Sequence, residues 1–186
     1  MVPRPGPEFA ERLLAMGHAR LDCVLLSGFD DSPEQLRALL AHAGTRTVAC
    51  VIEQACQPMP SLLARPSLDP ALQRIAELKH PGTLATALGT SRRHLAGALR
   101  AAHLFPAKTM LAWWRLLVAA RRLPDTAESV ERVALELDYA SATAFHNTCH
   151  RLLGAAASDI RTRGGLEFAG EVLRGAVQLR REKTAA

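Results

Sequence analysis

The sequence predicts a mainly α fold, with a wholly helical C-terminal part preceded by a small β-α-β region. Three observations predict it. Apolar residues form short continuous runs before residue 57 and recur at helical spacing beyond Asp69, and that period is the primary sign of which element a segment forms. Four prolines, at 58, 60, 66 and 70, separate the two parts. One capped helix-turn pattern then occurs twice in the helical part, with a single long helix between its copies.

The N-terminal part opens with EFAERLLAM at 8–16, which spaces Phe9, Leu13 and Met16 as a short helix ended by Gly17. Residues 20–26 read as a buried strand, with Val24, Leu25 and Leu26 adjacent. In DDSPEQLRALLAHAG, Ser32 caps a helix, Pro33 takes its first position and Gln35 completes a capping box, with Leu36, Leu39 and Leu40 as the apolar stripe. TVACVIE at 47–53 is predicted as a second buried strand. These elements make one β-α-β unit over 1–56, with parallel strands and a right-handed crossover. Two strands do not stand alone in water, so this region must lean on another surface. Its size suits contacts better than the sensing of a small molecule. The run QPMPSLLARPSLDP at 57–70 reads as a Pro-rich linker. Helices are predicted at 70–79, 83–88, 91–102, 106–122, 129–137, 141–152 and 157–163, seven before Gly164, with an eighth at 166–181.

Composition narrows the function classes. With 48% hydrophobic and 22% charged residues among 186, the chain has the balance of a globular protein that buries a core. Its apolar runs, such as LLVAA at 116–120, fall short of the roughly 18 to 20 residues that cross a bilayer. MVPRPGPEFAERL holds no apolar signal segment, which implies a cytoplasmic location and no membrane partner. Cys23, Cys50, Cys56 and Cys149 form no CxxC pair, so neither a zinc ribbon nor a disulfide framework is indicated, and they read as reduced and mostly buried. The net charge of +5 is unevenly placed: six Arg face eight Asp/Glu over 1–70, and thirteen Lys/Arg face seven Asp/Glu over 71–163. A basic segment between nearly neutral flanks suits a phosphate-binding surface, because each neutralised phosphate releases counterions.

The repeated pattern carries the functional reading. In GTLATALGTSRRHLAGALRAA, Thr83 caps a short helix, Leu84, Ala85 and Leu88 face inward, Gly89 supplies a positive φ, and Ser91 caps a second helix whose apolar face is Leu95 and Leu99. In ESVERVALELDYASATAFHNTCHRLLG, Ser129 caps, Val133, Ala134 and Leu137 face inward, Asp138 takes the turn, and Ser141 caps a helix carrying Phe145 and Cys149 inward. Both are helix-turn-helix patterns. Between them PAKTMLAWWRLLVAARRL, started by Pro106, carries Met110, Leu111, Trp114, Leu117 and Val118 on an apolar flank. Such a helix spans about 25 Å and can hold two recognition helices about one DNA turn, roughly 34 Å, apart. The fold class is therefore a seven-helix double helix-turn-helix domain over 71–163, followed by a C-terminal amphipathic helix over 164–186.

The words LATALGTSRRHL, RLLVAARRL and VALELDYASATAFHNTCHRLLGAAASDIR resemble the DNA-binding domain of the AraC/XylS family of transcription regulators over about residues 71–163. The resemblance implies a regulator, activator or repressor, that binds double-stranded promoter DNA. Recognition helices at 91–102 and 141–152 would enter successive major grooves. It implies that Arg93, Ala96 and Gly97 on the first recognition helix, and Ala142, Thr143 and Asn147 on the second, face bases. Arg93 suits a bidentate bond to guanine and Asn147 one to adenine. Arg92, Arg100, His146, His150 and Arg151 are expected at phosphates, which position the protein without specifying sequence. Further partners it admits are RNA polymerase, another regulator, or a second copy of the chain. The chain departs from the family in having Asp138 where Gly is usual, Cys149 where a buried Phe is usual, and Ala156 with Ala157 where Ser or Thr precedes Pro. Gly97 also weakens the middle of its helix. A non-enzymatic protein-interaction module retaining the fold with reduced DNA binding is the alternative.

Other constellations weigh less. His146, Cys149 and His150 sit at i, i+3 and i+4, a metal-ligand spacing, yet no fourth ligand lies near, and Cys149 reads as core. Asp30 and Asp31 follow a strand as in a phosphate-accepting receiver, but residues 1–70 contain no Lys, and helix capping accounts for them. Of Trp113 and Trp114, inside the long helix, at least one is expected in the core. Phe168, Val172, Leu173, Ala176 and Leu179 form a C-terminal stripe that serves either as an internal buttress or as a dimer contact. No catalytic motif emerges, so no enzyme, cofactor or metal is expected.

Overall fold

Residues 47–56 are helical, and the reason is visible in which side chains they bury. Val48, Ala49, Ile52, Ala55 and Cys56 are all buried, at the spacing of one helical face. The computed structural model describes residues 47–124 and 129–185. Helix α1 thus occupies 47–56, where the second strand of the β-α-β region was expected, and no strand occurs among the described residues. The expected β-α-β arrangement is corrected accordingly. Its first strand (20–26), its helix (32–44) and the opening helix (8–16) lie outside the described residues.

The Pro-rich run is also not a plain linker. A 3-10 turn at Ser61–Leu63 leads into α2, Arg65–Gln73. Pro66 falls in the first turn of α2, where a missing N–H is harmless. Pro70 lies inside the helix and forgoes one helical hydrogen bond, and the burial of Leu68, Ala71 and Leu72 offsets that loss. The predicted helix at 70–79 is therefore shifted, its second half being a 3-10 turn at Ile75–Glu77.

The remaining helices fall close to their predicted places: α3 Pro81–Ala87, α4 Arg92–Ala101, α5 Ala107–Arg122, α6 Val130–Glu136, α7 Ala142–Leu153, α8 Ala157–Thr162 and α9 Leu166–Ala185. The described residues form one unit around α5. Helix α5 buries both Trp113 and Trp114 together with Met110, Leu111, Leu116, Leu117, Ala119 and Ala120. That is more than one flank, because α3, α4, α6 and α7 pack on α5 and so does α9. No helix among the described residues is long and apolar enough to cross a membrane.

Helix α9 is a buttress within the unit. It packs on α5, α7 and α8, and its buried residues are Leu166, Ala169, Leu173 and Val177. Of the expected stripe, Leu173 is buried, Phe168, Val172 and Ala176 lie at the margin of the core, and Leu179 is 60% exposed. The absence of a side chain at Gly170 lets α1 approach α9, since a Cβ there would stand 2.5 Å from Val51 Cγ1. Farther along, Arg181 donates to the carbonyl oxygens of Cys56 at 2.9 Å, of Pro58 at 3.0 Å and of Gln57, satisfying the C-terminal end of α1. Glu53 holds the start of α2 through Arg65, at 2.7 Å.

Candidate nucleic-acid interface

Each helix-turn-helix unit is built by the same hydrogen bonds. In the first, Thr90 N–H donates to the Ala85 carbonyl at 2.9 Å and Gly89 N–H to that of Thr86 at 3.0 Å. In the second, Tyr139 N–H donates to Ala134 at 3.0 Å and Asp138 N–H to Leu135 at 3.0 Å. Both are Schellman caps, which place one residue in the left-handed region and turn the chain sharply. Gly89 has φ +65° and Asp138 φ +61°. One more residue separates the turn from the next cap in the second unit than in the first, and both recognition helices nevertheless start on a serine. Ser91 Oγ accepts from His94 N–H at 3.1 Å, and Ser141 Oγ accepts from Ala144 N–H at 3.1 Å.

The inward faces are those the spacing predicts: Leu84, Ala85, Leu88, Leu95 and Leu99 in the first unit, Val133, Ala134, Leu137, Phe145 and Cys149 in the second, all buried. Cys149 stands in a sealed site, and burial pushes its thiol up to about 12. Tyr139 meets the edge of Phe145 at 5.0 Å between ring centres and supplies an aromatic neighbour beside the small Cys149. Burial likewise holds the Tyr139 phenol well above the ordinary range.

Outward lie the side chains named from sequence. Arg92, Arg93, Ala96, Gly97 and Arg100 are all exposed on α4, and open space surrounds the position a Cβ would take at Gly97. On α7, Thr143, Asn147, His150 and Arg151 are exposed, and Ala142 and His146 are half-buried. The rings of His146 and His150 stand 5.6 Å apart, while Cys149 between them points into the core. Among the described residues no three potential metal ligands gather. Glu131, in the first turn of α6, is held below the usual carboxylate range by its own backbone N–H and the Ser129 hydroxyl, and also by His146. Neither recognition helix carries a carboxylate, and none occurs anywhere in residues 78–124. Two outward faces of donors and cations on one shared helix can accept phosphates and acceptor-rich base edges.

Sequence reasoning misplaced one cap and missed two tethers. The cap of α3 is His80, whose Nδ1 accepts from Thr83 N–H at 3.2 Å while Thr83 Oγ1 accepts from His80 N–H at 3.2 Å. Pro81, at the first helical position, is the signal that marks residue 80 as the cap. Glu136 accepts from Arg122, joining α6 to the end of α5, and pairs with Arg132 at 3.1 Å. These two guanidiniums, Arg122 foremost, hold its carboxyl below the usual range. Asp138 pairs with Lys79 at 3.2 Å and lies 3.8 Å from Arg115. At α8, Ala156 supplies no side-chain cap, as expected, but Asp159 reaches back to accept from Ala156 N–H at 3.0 Å.

Residues 84–163 match a family model described as a helix-turn-helix domain. No curated protein and no solved structure matches the chain.

Proposed function

We infer, from the match of residues 84–163 to a helix-turn-helix family model and from the two capped units that build it, that this chain is an AraC-type transcription regulator that reads double-stranded DNA sequence-specifically through α4 and α7. The observation that carries the reading is the pair of units on α5 with the same turn and the same serine cap on the recognition helix, each turning outward a recognition helix without carboxylates. In this reading Arg93 bonds guanine, Asn147 bonds adenine, and Thr143, Ala142 and Ala96 make the smaller base contacts. Gly97 allows close approach. Arg92, Arg100, His146, His150 and Arg151 hold phosphates and set the register of the two helices in successive major grooves. The DNA-binding domain runs over 71–163.

Selection of duplexes from a random pool by the full chain, followed by titration at several salt concentrations, tests this. A consensus with two half-sites and a steep salt slope is expected. Arg93→Ala and Asn147→Ala should each weaken binding by about 1–3 kcal/mol and relax preference at one base pair. Binding indifferent to both substitutions would sink the reading and favour a protein-interaction module.

A further inference from the structure

The turn of the second unit holds a residue that does more than turn the chain. Glycine would take φ +61° without strain, and Asp138 stands there instead. Its side chain leaves its own unit. One carboxylate oxygen lies 3.2 Å from Lys79 Nζ, one residue before the His80 cap of α3. The other lies 3.8 Å from Arg115 Nη2 on α5, and the same nitrogen donates to the Leu78 carbonyl at 2.8 Å. One carboxylate thus sits where three parts converge: the start of the first unit, the shared helix and the turn of the second unit. Arg115 is the sheltered member, its side chain 14% exposed against 38% for Asp138 and 67% for Lys79.

Apolar packing on α5 brings the units together but is not directional. Ion pairs that cross from the turn of the second unit to α5 and to the start of the first favour the arrangement that keeps the charges close, and so oppose rotation of one unit against the other. The first unit has no such arm, since Gly89 ends at its backbone.

We propose that Asp138 is a positioning residue that locks the two helix-turn-helix units at one separation and rotation, and so sets the half-site spacing the chain accepts. The consequence for DNA rests on the function proposed above; the locking itself does not. Without the carboxylate, Lys79 and Arg115 lose the charge they share and the units gain freedom about α5.

Two measurements on the full chain test this. Asp138→Asn keeps the volume and tolerates the left-handed backbone while removing the charge; Asp138→Gly removes the side chain and relaxes the backbone. In a background of Cys23→Ser and Cys50→Ser, nitroxides on Thr86→Cys and Leu135→Cys report the distance between the units without DNA. Both substitutions should broaden or displace that distance distribution, with no loss of thermal stability in Asp138→Gly. On selected duplexes, both should lower affinity at the native spacing by about fivefold, the scale of a partly exposed ion-pair network. They should also narrow the gap between that spacing and duplexes with one base pair added or removed, and leave single half-sites unaffected. An unchanged distance distribution overturns the locking. A changed distribution with unchanged spacing preference overturns the specificity role. If the unsubstituted chain selects no duplex, the functional reading fails, and the label distances still decide the locking.

Discussion

Gly89 and Asp138 sit at the same point of two units whose backbones make the same turn, yet only the second sends a side chain into its neighbours. The turn of the first unit ends at its backbone, with the His80–Thr83 box at the start of the unit and Leu95 and Leu99 filling it. The second is aromatic and tethered, with Tyr139 against Phe145, Glu136 on Arg122 and Asp138 on Lys79. The difference teaches that the capping pattern sets the corner, while the residue that occupies it is left for another use.

The sharpest way to break the comparison is through the cores. Phe145→Ala should cost about 3–5 kcal/mol, towards the upper end because Tyr139 loses its ring partner, and the equivalent Leu95→Ala about 2–5 kcal/mol, towards the lower end. Denaturant melts of the two variants check this, and equal losses would remove the asymmetry. The turns come next. Gly89→Ala forces a Cβ into the left-handed region and should cost about 1–2 kcal/mol even though open space surrounds it; a neutral result would mean that this corner adjusts freely. Gly97→Ala runs the other way, stabilising by about 0.5–1 kcal/mol because its site is open and its helix gains propensity. In a DNA titration the same variant should bind more weakly if α4 lies close against base edges, and unchanged affinity would remove Gly97 from the interface.

Glu136→Gln gives the smallest effect, about 0.5 kcal/mol at neutral pH. Glu136 has a folded value depressed by Arg122 and Arg132, so its contribution is full above the ordinary carboxylate value of 4.5 and is lost as the pH falls through the depressed one. Melts of parent and variant should therefore converge in strong acid. A gap that persists there would assign the effect to shape instead of charge.

What the sequence revealed was local. Ser91, Ser129 and Ser141 could be read as caps because each bonds an N–H three residues on. The helix at 47–56 was hidden by its β-branched residues, Thr47, Val48, Val51 and Ile52, in a window too short to tell strand from helix. Extending that window to Ala55 and Cys56 reveals the helical period. Trp113 needed a second buried flank of α5, and the partners of Asp138 come from distant stretches of chain. For the exposed recognition side chains, type and helix position were legible; their neighbours across the turn were not.

Helix α9 bears on how the protein can be handled. The matched segment stops at residue 163, three residues before this helix starts. A fragment trimmed to that segment would lose Ala169, Leu173 and Val177 and open the flank of the tryptophan-bearing helix to water. An apolar strip of that kind promotes self-association. A limit of sequence similarity is thus not a limit of solubility here, and a well-behaved fragment should extend at least through Arg181, whose guanidinium holds the end of α1.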